Sequence, residues 1–356
     1  MLPPLRPIAV SHIDMSHRRL CSDLVWLPPT TQVNSKGQIL GPEYLDDKSY
    51  QLMTVASDGQ CLIWDTRFQA ISEGQLPHVA KPRQQYDKKK EEHGHPPRAL
   101  WTPLFRVQLN RLEGVGELSL CWLVLDLGVA GDGQVTITAK DKGADTDQRS
   151  QLICTTEEGE IVFADWRAKA IGGAKDDDQG GSGGAGDDGG DVAPEFVKWV
   201  ANDHTRPCVG LDKSPFFPGV LLSIGDWSFQ IWKVGLRQPI FASPMAADYL
   251  TTGRWSPTRP SMLFLGKCDG SIDVWDFTDS SYAPSVTMMS SPSRITSMEF
   301  LKPKAVGGAS KLKQQLLSVG DAAGNLHVFD VPQNLWRPLN NERSIMLNFL
   351  ERETKV

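Results

Sequence analysis

One design is written five times along this chain: QLMTVASDGQCLIWDTR (51–67), QLICTTEEGEIVFADWR (151–167), GVLLSIGDWSFQIWKVG (219–235), SMLFLGKCDGSIDVWDFT (261–278) and QLLSVGDAAGNLHVFDVP (315–332). Each unit is an apolar run, a tight acidic or glycine turn, a second alternating run, then an aromatic followed by Asp or its substitute. That pattern spells a β-hairpin, and its return at intervals spells a repeat architecture. The spacing inside the unit is strict. Asp58 precedes Trp64 by six residues, Asp226 precedes Trp232 by six and Asp269 precedes Trp275 by six. Glu158 takes the acidic place in the second unit and Ala323 in the last, which marks those two as the weaker repeats.

A fainter strand precedes each hairpin: SDLVWLP (22–28), LSLCWLV (118–124), CVGLDKSPFFP (208–218), TTGRWSPTRP (251–260) and ITSMEFLKP (295–303). Ahead of these lie IAVSHI (8–13), LFRVQL (104–109) and PSVTMM (284–289), again strand-like. Four short strands per unit make the blade of a WD-type propeller, and blades stack because one blade cannot bury both of its faces alone. The 43 residues between Trp232 and Trp275 suit one such blade. The expected fold is therefore all-β. It is a WD-repeat propeller of five recognisable blades over residues 1–332, part of a larger ring, with a helical tail at 333–356.

With the strands named d, a, b and c in chain order, every long insert falls in an a–b or a c–d connection. Those two sets open on one face of a propeller, so one face is bushy and the other trimmed. The inserts near 29–49, 71–99, 129–149 and 172–191 are polar, charged or glycine-rich and are expected to be disordered. The last unit is followed by Glu342–Thr354, where Ile345, Phe349 and Leu350 stand at helical spacing. No outer strand follows for the fifth blade. Either Leu5–Ile13 supplies it and five blades close, or the ring stays open. The open ring is the expectation.

A net charge of −6 offers no basic footprint for nucleic acid. No run of eighteen apolar residues is present to span a membrane, and MLPPLRPIAV lacks the features of a secretory signal. Cys21, Cys61, Cys121, Cys154, Cys208 and Cys268 are scattered singly, which argues for a reducing compartment and against a disulfide framework or a zinc site. The recurring acids could suggest catalysis, but in a blade of this kind they fix the tight turn. His204 in NDHTRP stands where a structural histidine would sit, with Asp226 as its expected partner. His93 and His95 lack further ligands at metal spacing. The acids of 172–191 lack the alternation of a calcium loop, and no phosphate loop or nucleophile motif occurs. No catalytic residue, metal site or cofactor is expected.

Three successive blades carry a more specific likeness. FFPGVLLSIGDWSFQIWK (216–233), GRWSPTRPSMLFLGKCDGSIDVWDF (253–277) and VGDAAGNLHVFDV (319–331) resemble the WD-repeat region of dynein intermediate chains. DWSFQIWK, SDLVWLP and DGQCLIWD look most like the axonemal two-headed inner-arm type. The resemblance implies a non-catalytic scaffold of an axonemal inner-arm dynein in the cytoplasm and cilium. Its partners would be the heavy-chain tail and other intermediate chains. Light chains would bind only through a segment before the propeller, which this sequence lacks. Trp227 and Ser228, at the tip of a turn on the trimmed face, are the candidate partner-binding residues. A cytoplasmic or intraflagellar intermediate chain, or a WD adaptor for a ubiquitin ligase or chromatin complex, are the alternatives.

Overall fold

The computed structural model describes residues 9–80, 99–112, 116–125, 148–167, 196–301 and 314–355. Blade 1 holds β2 (Cys21–Trp26), β3 (Gln51–Ala56), β4 (Gln60–Asp65) and β6 (Phe105–Gln108), and a small parallel pair, β1 (Ala9–Ser11) with β5 (Ala99–Trp101), lies apart from it. Blade 2 holds β7 (Leu120–Leu125), β8 (Gln151–Thr156), β9 (Glu160–Asp165) and β10 (Val197–Asn202). Blade 3 holds β11 (Gly210–Lys213), β12 (Val220–Ile224), β13 (Phe229–Lys233) and β14 (Phe241–Ala242). Blade 4 holds β15 (Leu250–Trp255), β16 (Met262–Lys267), β17 (Ser271–Asp276) and β18 (Val286–Met289). Blade 5 has three strands, β19 (Ile295–Phe300), β20 (Leu316–Asp321) and β21 (Leu326–Asp330). Pairing within every blade is antiparallel, as expected for hairpin-linked strands.

The middle strands carry apolar residues on both of their faces because both faces of a blade are covered. β3, β4, β16 and β17 are buried along their whole length. Four apolar clusters follow one another around the structure. Blades 1 and 2 meet through Met53, Ile63, Leu123 and Val162, and blades 2 and 3 through Ile153, Ile161, Leu211 and Leu221. Leu222, Ile231, Leu263 and Trp275 join blades 3 and 4, and Phe264, Val274, Met298 and Val319 join blades 4 and 5. Carboxylates on two innermost strands add direction to this packing. Asp23 on β2 accepts from the Leu123 amide of β7, and Asp212 on β11 accepts from the Trp255 amide of β15, each at 2.9 Å. Burial raises the Asp23 pKa above its ordinary value, while the amides of Leu123 and Leu24 pull it down.

The long connections, 27–50, 66–104, 126–150, 166–196 and 301–315, are all a–b or c–d connections, as the spacing predicts. Residues 29–49 depart from the expectation of disorder. Val33 bridges Ile39, and Pro42–Tyr44 forms a 3-10 turn. The Gln51 side chain holds Val33 from both sides, accepting from its amide at 2.7 Å and donating to its carbonyl at 2.8 Å. Val33 is thereby placed in the core between blades 1 and 2, and a segment with a buried anchor and satisfied backbone cannot behave as a free linker. Within 71–99, residues 71–80 are likewise ordered, with Val79 buried and its carbonyl accepting from Ser35. Residues 81–98, 126–147 and 168–195, which include most of the other inserts, lie outside the described residues.

The described part of Leu5–Ile13 does not complete blade 5. Its strand β1 pairs with β5, and Trp101 of β5 packs on Trp64 over the outer face of blade 1. Among the described residues, nothing pairs with the free edge of β21, and the packing that joins successive inner strands does not run from β19 back to β2. The ring is open. Its two ends expose apolar side chains: Trp26 is 49 % exposed on β2 and Leu326 is 72 % exposed on β21.

Helix α1 (Phe68–Ser72) follows blade 1's hairpin, and α2 (Gln333–Trp336) and α3 (Glu342–Thr354) close the chain. α3 folds back onto blades 3 and 4, where Met346, Phe349 and Leu350 enter the apolar cluster between them. Ile345 is exposed instead, so the buried stripe is turned by one position from the expected one. Electrostatics sets that rotation. Glu342, 1 % exposed, meets both of its oxygens with Arg259 Nε at 3.0 Å and accepts from the Ser261 hydroxyl at 2.6 Å. Arg259 Nη2 also donates to Asp276 at 2.8 Å. Removing one member leaves the others charged and buried. Glu342→Ala is expected to lower stability by about 3–5 kcal/mol, read as a shift in the urea unfolding midpoint, whereas Ile345→Ala should change it little.

Candidate interaction surface

The trimmed face is built on hydrogen-bonded chains that start at the repeated tryptophans. In blade 3 the Trp232 indole N–H donates to Ser223 Oγ at 2.8 Å, and His204 Nε2 lies 2.7 Å from the same oxygen. Trp232 faces Leu221 across the hairpin, and Ser223 is two residues further along β12, on the same side of the sheet. His204 comes from the d–a connection above. Gly225 makes room for it, since a Cβ there would sit 2.6 Å from His204 Nδ1. The expected partnership of His204 with Asp226 is thus only partly realised: Ser223 makes the hydrogen bond, and the Asp226 carboxylate lies 3.4 Å from Arg206. Burial pushes the His204 pKa down to about 4, with the charge of Asp226 opposing the shift.

Blade 1 has the longer chain. Trp64 donates to Thr54 Oγ1 at 2.8 Å, His17 Nε2 lies 2.8 Å from that oxygen, and His17 Nδ1 lies 3.2 Å from Asp58. Asp58 also accepts from the amides of Arg18 and Gln60. His17 is absent from the sequence-derived set because the long a–b insert separates it from its hairpin, although HRRL stands just before β2 as NDHTRP stands just before β11. Asp269 caps its own turn through Ser271, and Trp275 only packs, edge-on against Phe229. Gly270 is required there, because a Cβ would lie 1.9 Å from the Ser291 carbonyl oxygen.

The two weak repeats substitute other residues. In blade 2 the Thr156 hydroxyl accepts from the amides of Glu158 and Glu160, which frees Glu158 to pair with Arg111. In blade 5 Asp321 does what Ala323 cannot, accepting from the amides of Ala323 and Asn325 and from the Ser291 hydroxyl. The nearby His327 and these donors hold the Asp321 carboxyl far below the usual carboxylate range.

On this scaffold sits an aromatic pair. The Trp227 and Tyr249 rings are 4.2 Å apart, one on the blade 3 turn and one on the connection into blade 4. The Trp227 carbonyl accepts from Ala246 at 2.7 Å, which fixes the loop bearing Met245, itself 82 % exposed. Trp227 and Ser228 are half-buried, so Met245 and Tyr249 extend the candidate surface beyond the two residues expected. Chemistry here is limited. Burial pushes the Cys121 and Cys208 thiols up to about 12, so these two carry no thiolate near neutrality. No cluster of metal ligands occurs among the described residues, and His93 and His95 lie outside them. No described helix is long and apolar enough to cross a membrane.

The histidine chain makes stability pH-dependent. His204 is held neutral in the fold, so the unfolded chain binds the extra proton. Its contribution is complete above the ordinary pKa of 6.5 and is lost as pH falls from there to about 4. A loss on the order of 3 kcal/mol over that window is expected, and His204→Gln should flatten this part of the urea midpoint profile. Ser223→Ala, which strands both the indole and the imidazole, should cost about 1–3 kcal/mol at neutral pH.

Comparison with known proteins adds the lineage to this geometry. A family described as the dynein axonemal intermediate chain 3 WD40 domain matches residues 2–142 and 134–331. Dynein axonemal intermediate chain 3 of Homo sapiens is 27 % identical over 99 % of this chain and 39 % of its own length. The Danio rerio protein of that name is 31 % identical over 83 % of this chain and 31 % of its own. The 70 kDa intermediate chain of the Chlamydomonas reinhardtii flagellar outer arm is 32 % identical, over 44 % of this chain and 26 % of its own. The chain therefore spans well under half the length of these relatives. Among solved structures, Saccharomyces cerevisiae Sqt1 superposes with a TM-score of 0.51 at 10 % identity, covering 89 % of this chain and 61 % of Sqt1, which shows a shared fold. With a family match running almost from end to end of the repeats, the chain belongs to the WD40-domain family of dynein axonemal intermediate chain 3.

Proposed function

We propose that this propeller is a non-catalytic scaffold of an axonemal inner-arm dynein, docking on the heavy-chain tail and helping to anchor the motor in a cilium or flagellum. Membership of an axonemal intermediate-chain family supports the scaffold role and the axonemal location. The observation that carries the docking mode is the Trp227–Tyr249 pair with Met245 beside it, on the face free of long inserts. Rigid aromatic and methionine anchors are what the centre of a protein interface uses. The long connections open on the opposite face, which leaves the short turns of this one as the more compact docking surface. A heavy-chain tail offers long helices that can lie across several blade tops, and an interface of about 1,200–2,000 Å² is expected.

The inner-arm assignment rests on the motif likeness of DWSFQIWK, SDLVWLP and DGQCLIWD. Other intermediate chains of the same motor are the second partner class. Residues 1–356 are expected to capture the heavy-chain tail from a ciliary extract and to leave purified light chains in solution. Trp227→Ala should weaken tail capture by about tenfold or more, the loss of one anchor, and Ser228→Ala by less. Capture of light chains without heavy chain would overturn this assignment of partners.

A further inference from the structure

The open edge of β21 carries a second candidate site. In blades 1, 3 and 4 the carbonyl just before the repeated Trp accepts an amide from the residue leading into the outer strand: Ile63 from Leu104 at 2.7 Å, Ile231 from Ile240 at 2.8 Å and Val274 from Ser285 at 2.9 Å. Val328, one residue before Phe329, holds the same place in blade 5, and no described residue donates to it. The ladder with β20 decides which way the backbone of β21 points. Val331 donates to Gln315 at 2.8 Å and Asn325 accepts from Asp321 at 3.1 Å, and hydrogen-bonded pairs alternate along an antiparallel ladder. His327 and Phe329 therefore turn their N–H and C=O groups toward β20, while Leu326, Val328 and Asp330 turn theirs to the open edge. Beside this edge, between β18 and β21, lies a pocket of about 230 Å³ walled by Phe264, Met288, Leu317 and Phe329. Asp330 is the one charged residue among its described lining.

We infer that the edge of β21 binds an extended segment of a partner protein, which adds to blade 5 as an antiparallel fourth strand. A row of outward N–H and C=O groups recognises backbone, and the side chains beside it set the choice of sequence. A helix uses its backbone groups internally and has none to offer such an edge. The other blades show the side chains that suit this place: Val107 and Phe105 of β6 face Cys61 and Ile63, and Phe241 of β14 faces Ile231. The segment's residues opposite Leu326 and Val328 are accordingly apolar or β-branched, and the alternate positions bring a large apolar side chain into the pocket. A Lys or Arg opposite Asp330 completes the charge complementarity. The site lies on blade 5, away from Trp227 of blade 3, and does not depend on the dynein reading.

The test is fluorescence anisotropy of the full chain with the labelled, end-capped peptide Lys-Phe-Val-Thr-Ile-Thr, whose lysine meets Asp330 and whose phenylalanine enters the pocket. Saturable binding is expected. Methylating the backbone nitrogen of the peptide's valine, which donates to the Val328 carbonyl, should weaken binding by about tenfold or more, the loss of a hydrogen bond that leaves its acceptor unmet. Val328→Pro removes the outward N–H and spares the ladder with β20, and with an unchanged circular dichroism spectrum it should weaken binding to a similar degree. Asp330→Lys should cost about threefold, the worth of one cross-strand ion pair, and glutamate in place of the peptide's lysine should restore it. Absence of saturable binding would overturn the proposal, as would binding indifferent to both the methyl group and Val328→Pro. In hydrogen exchange of the chain alone the Val328 amide should exchange fast. Protection there in a monomer would assign the edge to a segment of this chain, and protection that appears only on dimer formation would assign it to a second copy. Either result would overturn the partner assignment.

Discussion

Each blade is stable only because another sheet covers its faces, and nearly every other feature of the molecule follows from that constraint. A four-stranded sheet whose middle strands are apolar on both sides cannot face water on either. The clusters joining blades 1 to 2, 2 to 3, 3 to 4 and 4 to 5 answer this one after another. Asp23 and Asp212, each bonded to an amide of the next inner strand, make the stacking directional as well as apolar. Where a neighbour is missing the solution changes. Trp101 lies over the outer face of blade 1, and Leu326 and Val328 of blade 5 stay exposed.

The same constraint separates the two faces of the propeller by chemistry. On the trimmed face, short turns are fixed by hydrogen bonds that begin inside the blades at Trp64 and Trp232 and end at His17 and His204. Loops fixed in this way can present Trp227, Tyr249 and Met245 with little entropy left to lose. On the other face the chain is free to add length, and some of that length has been recruited into structure. Gln51 fastens the insert at Val33, and Arg259 fastens α3 through Glu342.

Comparing the unit with the fold shows how one position in a repeat can be filled by different means. The acid six residues before the aromatic is expected to fix the turn. In blade 1 that holds, since Asp58 accepts two amides and faces His17. In blade 2 a hydroxyl two residues earlier, on Thr156, caps the turn, and in blade 5 a carboxylate two residues earlier, on Asp321, does so. A side-chain oxygen at either place reaches the same turn amides, so the geometry is conserved among the blades while the sequence position is not.

The sequence by itself determined the elements, because the two periodicities that define a strand and a tight turn are local and survive substitution. Five hairpins, their strand order, the face that carries the inserts and the closing helix were all legible from residues near one another in the chain. The lineage was legible too, since DWSFQIWK and WSPTRP are contiguous. What only the tertiary structure decided depends on partners far apart in the chain. Examples are His17 meeting Thr54, Ser223 rather than Asp226 receiving His204, and Glu342 rotating α3 so that Met346 enters the core and Ile345 does not. The ordering of residues 29–49 belongs here as well. A polar stretch looks like a linker until a buried amide side chain, brought by the next strand, supplies the hydrogen bonds its backbone needs.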